Sequence, residues 1–574
     1  MRQHILTTAF AAAVTALAYG QNLNPTVEVT NIYEGGAAAI AKPLQQMAVP
    51  DSVKTFNLDF DYSVFDNPYQ GAYEFKPYYV QLRPASRYST EEKFYLRLGA
   101  GFTLHPELDL VWSPLRTEKT RVNVYATHRS YFGRYHRIGV LDPVGEMLPL
   151  GASGEKVNGY LADTKAGVDG SFHWSDGVAT LNAGFLQRAA RNDALRQQRS
   201  TGGEVQGRVR SLERDEPHFM YDAALSYRYL GNSYSNEYLN VVYSDISGIT
   251  VPTVQFGESL FNFDGSFGPV MSPDQRIVAE VNLDIASYSR DLTGYTGALS
   301  VTPKYIFNLD NWHFSLGVRL GTLVYSDGFA QIDETRQHKG AHVFPDVFVD
   351  FHLLDDRLVL QASATGGNRL NTESSLFFSR PFSVYNECCH SVERIRAMVG
   401  ARGNIAGKFR YDLQGGFARQ DHALVDAVDF LGDVPYPALL DYGFNQWFAT
   451  LDYGWNSDHV TVDGKLAYNG CTLTEPRTLS PSTFTGFIRP AYHWGERFKA
   501  GMDVSWATAR KASVDGVDLY VPGWLDLGLF AEYRFTRQFG FWAKGGNLLN
   551  QAVQRMPIVA EAGMFATVGI LLNF

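Results

Sequence analysis

The residues of this chain best suited to bind a metal or attack a substrate are its three cysteines and fourteen histidines, and their spacing favours neither role. Cys388-Cys389-His390 is a compact soft-ligand group, but adjacent cysteines make a poor chelate, and structural zinc sites use spaced pairs. A disulfide between Cys389 and Cys471 is the competing expectation for the same atoms. The odd, sparse count argues against a disulfide framework. No HExxH, GxSxG or phosphate-binding glycine loop occurs, so the expectation is no enzyme, no cofactor and no metal. The formal net charge of −10 comes without a basic stripe, which speaks against nucleic acid as a partner.

The charged residues carry more information, because many stand at every second position. Phe498, Ala500, Met502, Val504 and Trp506 alternate with Lys499, Gly501, Asp503 and Ser505. Leu525, Leu527, Leu529, Ala531 and Tyr533 alternate with Asp526, Gly528, Phe530, Glu532 and Arg534. Phe409, Tyr411, Leu413 and Phe417 alternate with Arg410, Asp412 and Gln414. A period of two leaves no apolar stripe for a helix and describes strands with one apolar and one polar face. A charge facing lipid costs several kcal/mol, roughly 2–4 at the bilayer midplane. The charged face is therefore expected to line a lumen. Arg394, Arg396, Arg410, Asp463, Lys465, Lys499, Asp503, Asp526 and Glu532 are the lumen candidates. They serve either to guide an ionic solute or to pair across strands and fill the interior, and pairing is the simpler expectation.

These strands belong to an exported membrane protein. Residues 1–20 read as a signal peptide, with Arg2, an apolar stretch from Ile5 to Ala18 and a small-residue cleavage site at Ala18-Tyr19-Gly20. No later run reaches the ~18 apolar residues of a membrane-spanning helix. About 22 alternating strands are expected between Lys93 and Phe574, an all-β transmembrane antiparallel barrel without a full plug domain. Long connections at 131–155, 190–202, 230–257, 324–339, 365–392, 419–443, 470–482, 508–523 and 546–563 alternate with short turns such as Asn308–Asn311 and Asn456–Asp458. Barrels of outer membranes segregate short periplasmic turns from long extracellular loops in this way. The expected location is the cell outer membrane, with its lipid as partner. Aromatic residues make up 14% of the chain, as interfacial girdles require.

Residues 21–92 differ. They carry six prolines and many aromatic residues, among them Phe56, Phe60, Tyr62 and Phe65. Such a segment is expected to pack in the lumen or at the periplasmic mouth, ahead of a barrel at 93–574. Val27-Glu28-Val29-Thr30 within it is a candidate strand for adding to a partner's sheet.

The C-terminal third resembles the barrel of TonB-dependent receptors, a resemblance carried by Phe539–Pro557 with Asn547-Leu548-Leu549-Asn550 and by the following strand Met564–Phe574, which ends on an aromatic residue. Asn368–Phe382 and Leu23–Gly36 resemble a branch of that family lacking the plug. The resemblance implies transport of a solute across the outer membrane, with TonB as a candidate partner. The 72-residue stretch 21–92 is too short for the family's folded plug, which supports a second expectation. In that reading the barrel is a non-transporting scaffold, docking other outer-membrane proteins or lipoproteins.

Overall fold

The computed structural model describes residues 93–574 apart from 193–195, 215, 237–254, 291–292, 326–339, 355, 381, 384–389, 432–433, 474–476 and 515. Twenty-two strands form one closed antiparallel barrel. Each wall strand pairs with the next wall strand along the chain. The circle closes where Phe94–Phe102 meets Phe565–Asn573, in a register that sets Leu98 opposite Ile570 and Gly101 opposite Thr567. Closure removes the edges that an open sheet would expose, a requirement for any sheet that crosses lipid.

The alternation of the last strand is realised atom by atom. Val568 is 65% exposed on the outside, whereas Leu571 is 1% exposed on the inside beside the buried Thr567. The strand Trp312–Tyr325 presents Trp312, Phe314, Leu316, Val318, Leu320 and Val324 outward, and Arg319 inward. Aromatic residues gather at both margins of the apolar belt. At the turn end Trp312 stacks on Phe351 with ring centroids 4.4 Å apart, and Phe307 on Phe314 at 4.8 Å. At the loop end Phe132 stacks on Tyr160 at 6.0 Å, and Phe417 meets Trp447 at 4.7 Å. Such rings suit an interface between hydrocarbon and polar headgroups. Among the described residues no helix is long and apolar enough to span a membrane.

Two stretches expected to be loops are largely wall strand. Thr120–Val140 pairs with Met147–Trp174, and Gly177–Arg191 with Arg196–Ser211, so the ladder runs through most of 131–155 and 190–202. A crossing strand needs only ~9–11 residues. The remainder continues beyond the apolar belt because each added antiparallel pair satisfies backbone donors and acceptors. The loop end also has short connections, at 103–106 and at 291–293.

Four further strands lie outside the wall. Leu424–Leu431 with Val434–Asp441 forms one hairpin, and Arg510–Val514 with Val517–Val521 another. The second hairpin adds in parallel to Met147–Trp174, with Leu519 opposite Leu148. Both arise from long connections at the loop end. Their apolar faces join Ile138, Leu150, Val428, Leu479, Leu519, Val521 and Ile558 in the largest buried apolar cluster among the described residues.

Candidate functional site

The lumen wall is lined with ion pairs. Arg410 bonds Asp463 at 2.9 Å, Lys465 bonds Asp452 at 3.0 Å, Arg489 bonds Asp503 at 2.9 Å, and Arg534 bonds Glu532 at 2.8 Å. Arg396 meets Glu393 at 3.1 Å and Asp526 meets Arg555 at 2.8 Å. Lys499 has no carboxylate within 4.0 Å among the described residues, and its ammonium lies 5.8 Å from the Phe530 ring. Arg394 falls in a register shift between Glu393 and Ile395. It joins Asp421 at 2.7 Å beside Arg419, at the loop-end rim. The charge clusters at the strand ends bracket the barrel seam. Asp109 accepts both Arg129 Nη2 contacts at 2.6 Å, Arg97 lies 3.6 Å over the Trp542 ring, and Glu107 pairs with His105 at 2.8 Å and with Lys544. The sequence reading missed this seam group. Its signal was present as inward-parity charges on the first, second, third and penultimate wall strands.

Cys471 ends the strand Val460–Cys471, half-buried. Cys389 and the candidate strand Val27–Thr30 lie outside the described residues, as does all of 21–92. Among the described residues no three metal-ligating side chains stand together.

One loop reaches inward at the loop end of the lumen. The connection between Val359–Arg369 and Ser391–Ile405 enters the barrel and folds into the helix Glu373–Ser379. Thr372 caps this helix, its hydroxyl accepting from Ser375 N at 3.1 Å while Ser375 Oγ reaches back to the Thr372 amide. Glu258 holds the same turn from the eighth wall strand, accepting from Ser374 N at 3.0 Å and from Ser374 Oγ. Arg188 holds it from the fifth. It donates to the Phe378 carbonyl at 2.9 Å and grips Asp163 through two bonds of 2.6 and 2.8 Å. The helix belongs to the loop after the thirteenth strand. In a circle of 22, its partners on the fifth and eighth strands stand well across the mouth.

The helix loop and the second hairpin meet at Asp426, on the first hairpin. Its carboxylate accepts Arg380 Nε at 2.7 Å and Arg510 Nη1 at 3.0 Å. Arg510, 3% exposed, also donates to the Arg555 carbonyl at 2.5 Å and to Ser482 Oγ at 3.4 Å. Arg555 in turn binds Asp526 on the wall, Ser505 at 3.1 Å and Glu561. Gln554 donates to the Leu150 carbonyl at 2.8 Å and accepts from Ile558 N at 3.0 Å. Five connections are thereby tied to one another and to the wall. Burial pushes the Glu561 carboxyl up, against the pull of Arg555. His390, beside the helix loop, bonds Thr296 at 2.7 Å, and burial brings its pKa down to about 4.

No family model and no curated protein sequence matches this chain. Solved structures match its fold. A ferric enterobactin receptor from Pseudomonas aeruginosa aligns with a TM-score of 0.60 at 12% identity, covering 85% of this chain and 81% of that one. The copper transporter OprC aligns at 0.61 with 14% identity, over 84% and 80%. The FrpB iron transporter from Neisseria meningitidis aligns at 0.61 with 10% identity, over 84% and 82%. The barrel is thus of the kind that the sequence resemblance to TonB-dependent receptors implied.

Proposed function

We propose that this protein is an outer-membrane barrel that carries a solute, and that its own loops gate the external mouth. The observation that supports this reading is an ion-lined lumen at whose loop end long connections are tied to one another and to the wall through buried charges. A barrel of this strand number encloses a lumen large enough to need an obstruction. A permanently open one would breach the permeability barrier. The apolar belt, its two aromatic margins and the segregation of loops support membrane insertion with the loop end outward. The signal-like residues 1–20 support export.

The similar structures are named for ferric enterobactin, iron and copper, so a metal or metal-chelate is the first solute class to test here. The lumen charges would guide such a solute past paired groups that can exchange partners. Residues 21–92 would act from the periplasmic side, with Val27–Thr30 as the strand offered to TonB. A disulfide between Cys389 and Cys471 would tie two external loops.

The test is uptake of radiolabelled ferric catecholate complexes and of copper by cells lacking the protein and by complemented cells, with membrane fractionation alongside. Restored uptake with the protein in the outer membrane supports transport. Unchanged uptake, with stoichiometric co-purification of other outer-membrane proteins or lipoproteins, would overturn it in favour of a docking scaffold.

A further inference from the structure

At the barrel seam one buried arginine leaves an edge of its guanidinium unused. Arg97 is 3% exposed and faces the lumen, opposite Leu571 on one neighbouring strand and Asp109 on the other. Among the described residues its one ion pair is with Asp109, through Nη1 at 3.5 Å. Asp109 gives both oxygens to Arg129 at 2.6 Å, and Glu107 is held by His105 and Lys544. Three cations therefore face two carboxylates, and the excess charge sits on Arg97. Its Nε and Nη2 are buried and meet no acceptor. A buried donor without an acceptor is costly, the more so on a charged group.

Nε and Nη2 share one edge of the planar guanidinium, an edge that can take both oxygens of a carboxylate. This protein uses that edge elsewhere. Arg188 takes Asp163 through Nε at 2.6 Å and Nη2 at 2.8 Å. Arg208 takes Asp222 through the same atoms at 2.7 and 2.6 Å. At Arg97 the fork is formed, and no carboxylate among the described residues fills it.

The wall beside it holds the fork in place. Gly99 and Gly569 stand opposite each other across the closing ladder. A Cβ at Gly99 would lie 2.3 Å from Trp542 Cζ2, and one at Gly569 would lie 2.6 Å from Trp542 Nε1. The indole thus occupies the space that two missing side chains leave. Arg97 Cζ stands 3.6 Å over that ring, which orients the guanidinium. Trp542 Nε1 and Thr567 Oγ1 are also buried without a partner. The Thr567 methyl is 3.1 Å from the same Cβ position at Gly99. Unused donors on three side chains gather around one ring.

We propose that this seam site binds the carboxylate of a solute in the lumen. Arg97 receives both oxygens through Nε and Nη2, and Trp542 Nε1 and the Thr567 hydroxyl stand beside them as further donors. The ligand class is read from the fork, which the protein fills with carboxylates at Arg188 and Arg208. The site lies in the wall whether or not a solute crosses the membrane, so the inference goes beyond the transport reading and does not depend on it.

The test uses the full chain in detergent. It is titrated calorimetrically with benzoate and with citrate at fixed ionic strength, each against its neutral amide, and with sulfate as an inorganic oxyanion. The expected result is saturable binding of a carboxylate, at least about tenfold tighter than binding of its amide or of sulfate. Arg97→Lys keeps the charge and loses the fork, and should weaken binding at least about tenfold. Trp542→Phe removes one donor and should weaken it about two- to tenfold. Arg208→Lys, at a fork that Asp222 already fills, should leave binding as it is. Heat-modifiable electrophoretic mobility reports whether each barrel is folded. If Arg97→Lys does not fold, Trp542→Phe decides. No saturable binding of either carboxylate, equal affinity for the amide or for sulfate, or undiminished affinity in the folded variants would overturn the proposal. Binding is read without uptake, so failure of transport in cells would leave this result intact, and loss of binding would leave the transport reading intact.

Discussion

Arg188 and Phe378 stand 190 positions apart in the chain and meet at 2.9 Å, guanidinium to backbone carbonyl, across the mouth of the barrel. Arg188 is fixed by its two bonds to Asp163, so it presents a rigid donor from the wall. The Phe378 carbonyl belongs to the last turn of a short helix, where carbonyls lack partners within the helix. One side chain thus supplies a missing hydrogen bond and docks the loop. Arg188→Ala removes the donor and leaves Asp163 without its cation. Hydrogen exchange in 373–379 is expected to rise by one to two orders of magnitude, matching about 1–3 kcal/mol. Unchanged protection would show that Glu258 alone holds the helix.

Asp426 joins two arginines that belong to two other loops. Its replacement by Ala leaves Arg380 and Arg510 buried without their carboxylate. Losing one partner of a buried ion network costs about 3–5 kcal/mol. The expected outcome is release of the hairpin 424–441 and heightened sensitivity of cells to a bulky hydrophilic antibiotic, with the barrel still heat-modifiable. Replacing Arg410, whose pair with Asp463 is exposed, should leave sensitivity unchanged, since solvent-exposed pairs contribute about 0–1 kcal/mol.

His390 gives the loop a pH dependence. Its pKa in the folded state is about 4, against 6.5 for an unperturbed histidine. The undocked loop therefore binds the proton first as pH falls through 6.5. Docking weakens progressively from there down to about pH 4, by as much as about 3 kcal/mol. Limited proteolysis in 370–390 should accelerate between pH 7 and pH 5, and His390→Gln should flatten that profile. Equal rates at both pH values in the wild type would count against a buried neutral imidazole.

The barrel seam depends on the absence of a side chain at Gly101. A Cβ there would lie 1.9 Å from the Ala566 carbonyl oxygen, on the strand that closes the circle. Gly101→Val should impair closure and lower the temperature at which the folded band is lost on an electrophoretic gel. The same change at Gly139, where the nearest atom is the Ser153 Cβ at 3.7 Å, should be far milder.

The wall was legible in the sequence where lipid imposes its demand. Val568 stands exposed and Leu571 buried, as the alternation of the last strand alone implies. Beyond the belt that demand ends. Strands such as 147–156 face water on their outer side, the alternation fades, and they read as loop. The cap was illegible for another reason. Asp426 and Arg510 are 84 residues apart, and Arg188 and Phe378 more than twice that. Nothing local in either stretch signals a contact that only barrel closure creates. The stretch Asn368–Phe382 stood out in the sequence by resemblance, yet its role as a helix crossing the mouth follows only from Glu258 and Arg188 on distant strands.

The most direct test of gating by loops is single-channel conductance in planar bilayers, comparing the full chain with a variant in which Ala423–Tyr442 is replaced by a short Gly-Ser linker. The intact protein should be closed, and the variant should show large, long-lived openings. Equal conductance in the two, whether both open or both closed, would contradict the claim that these loops close the barrel.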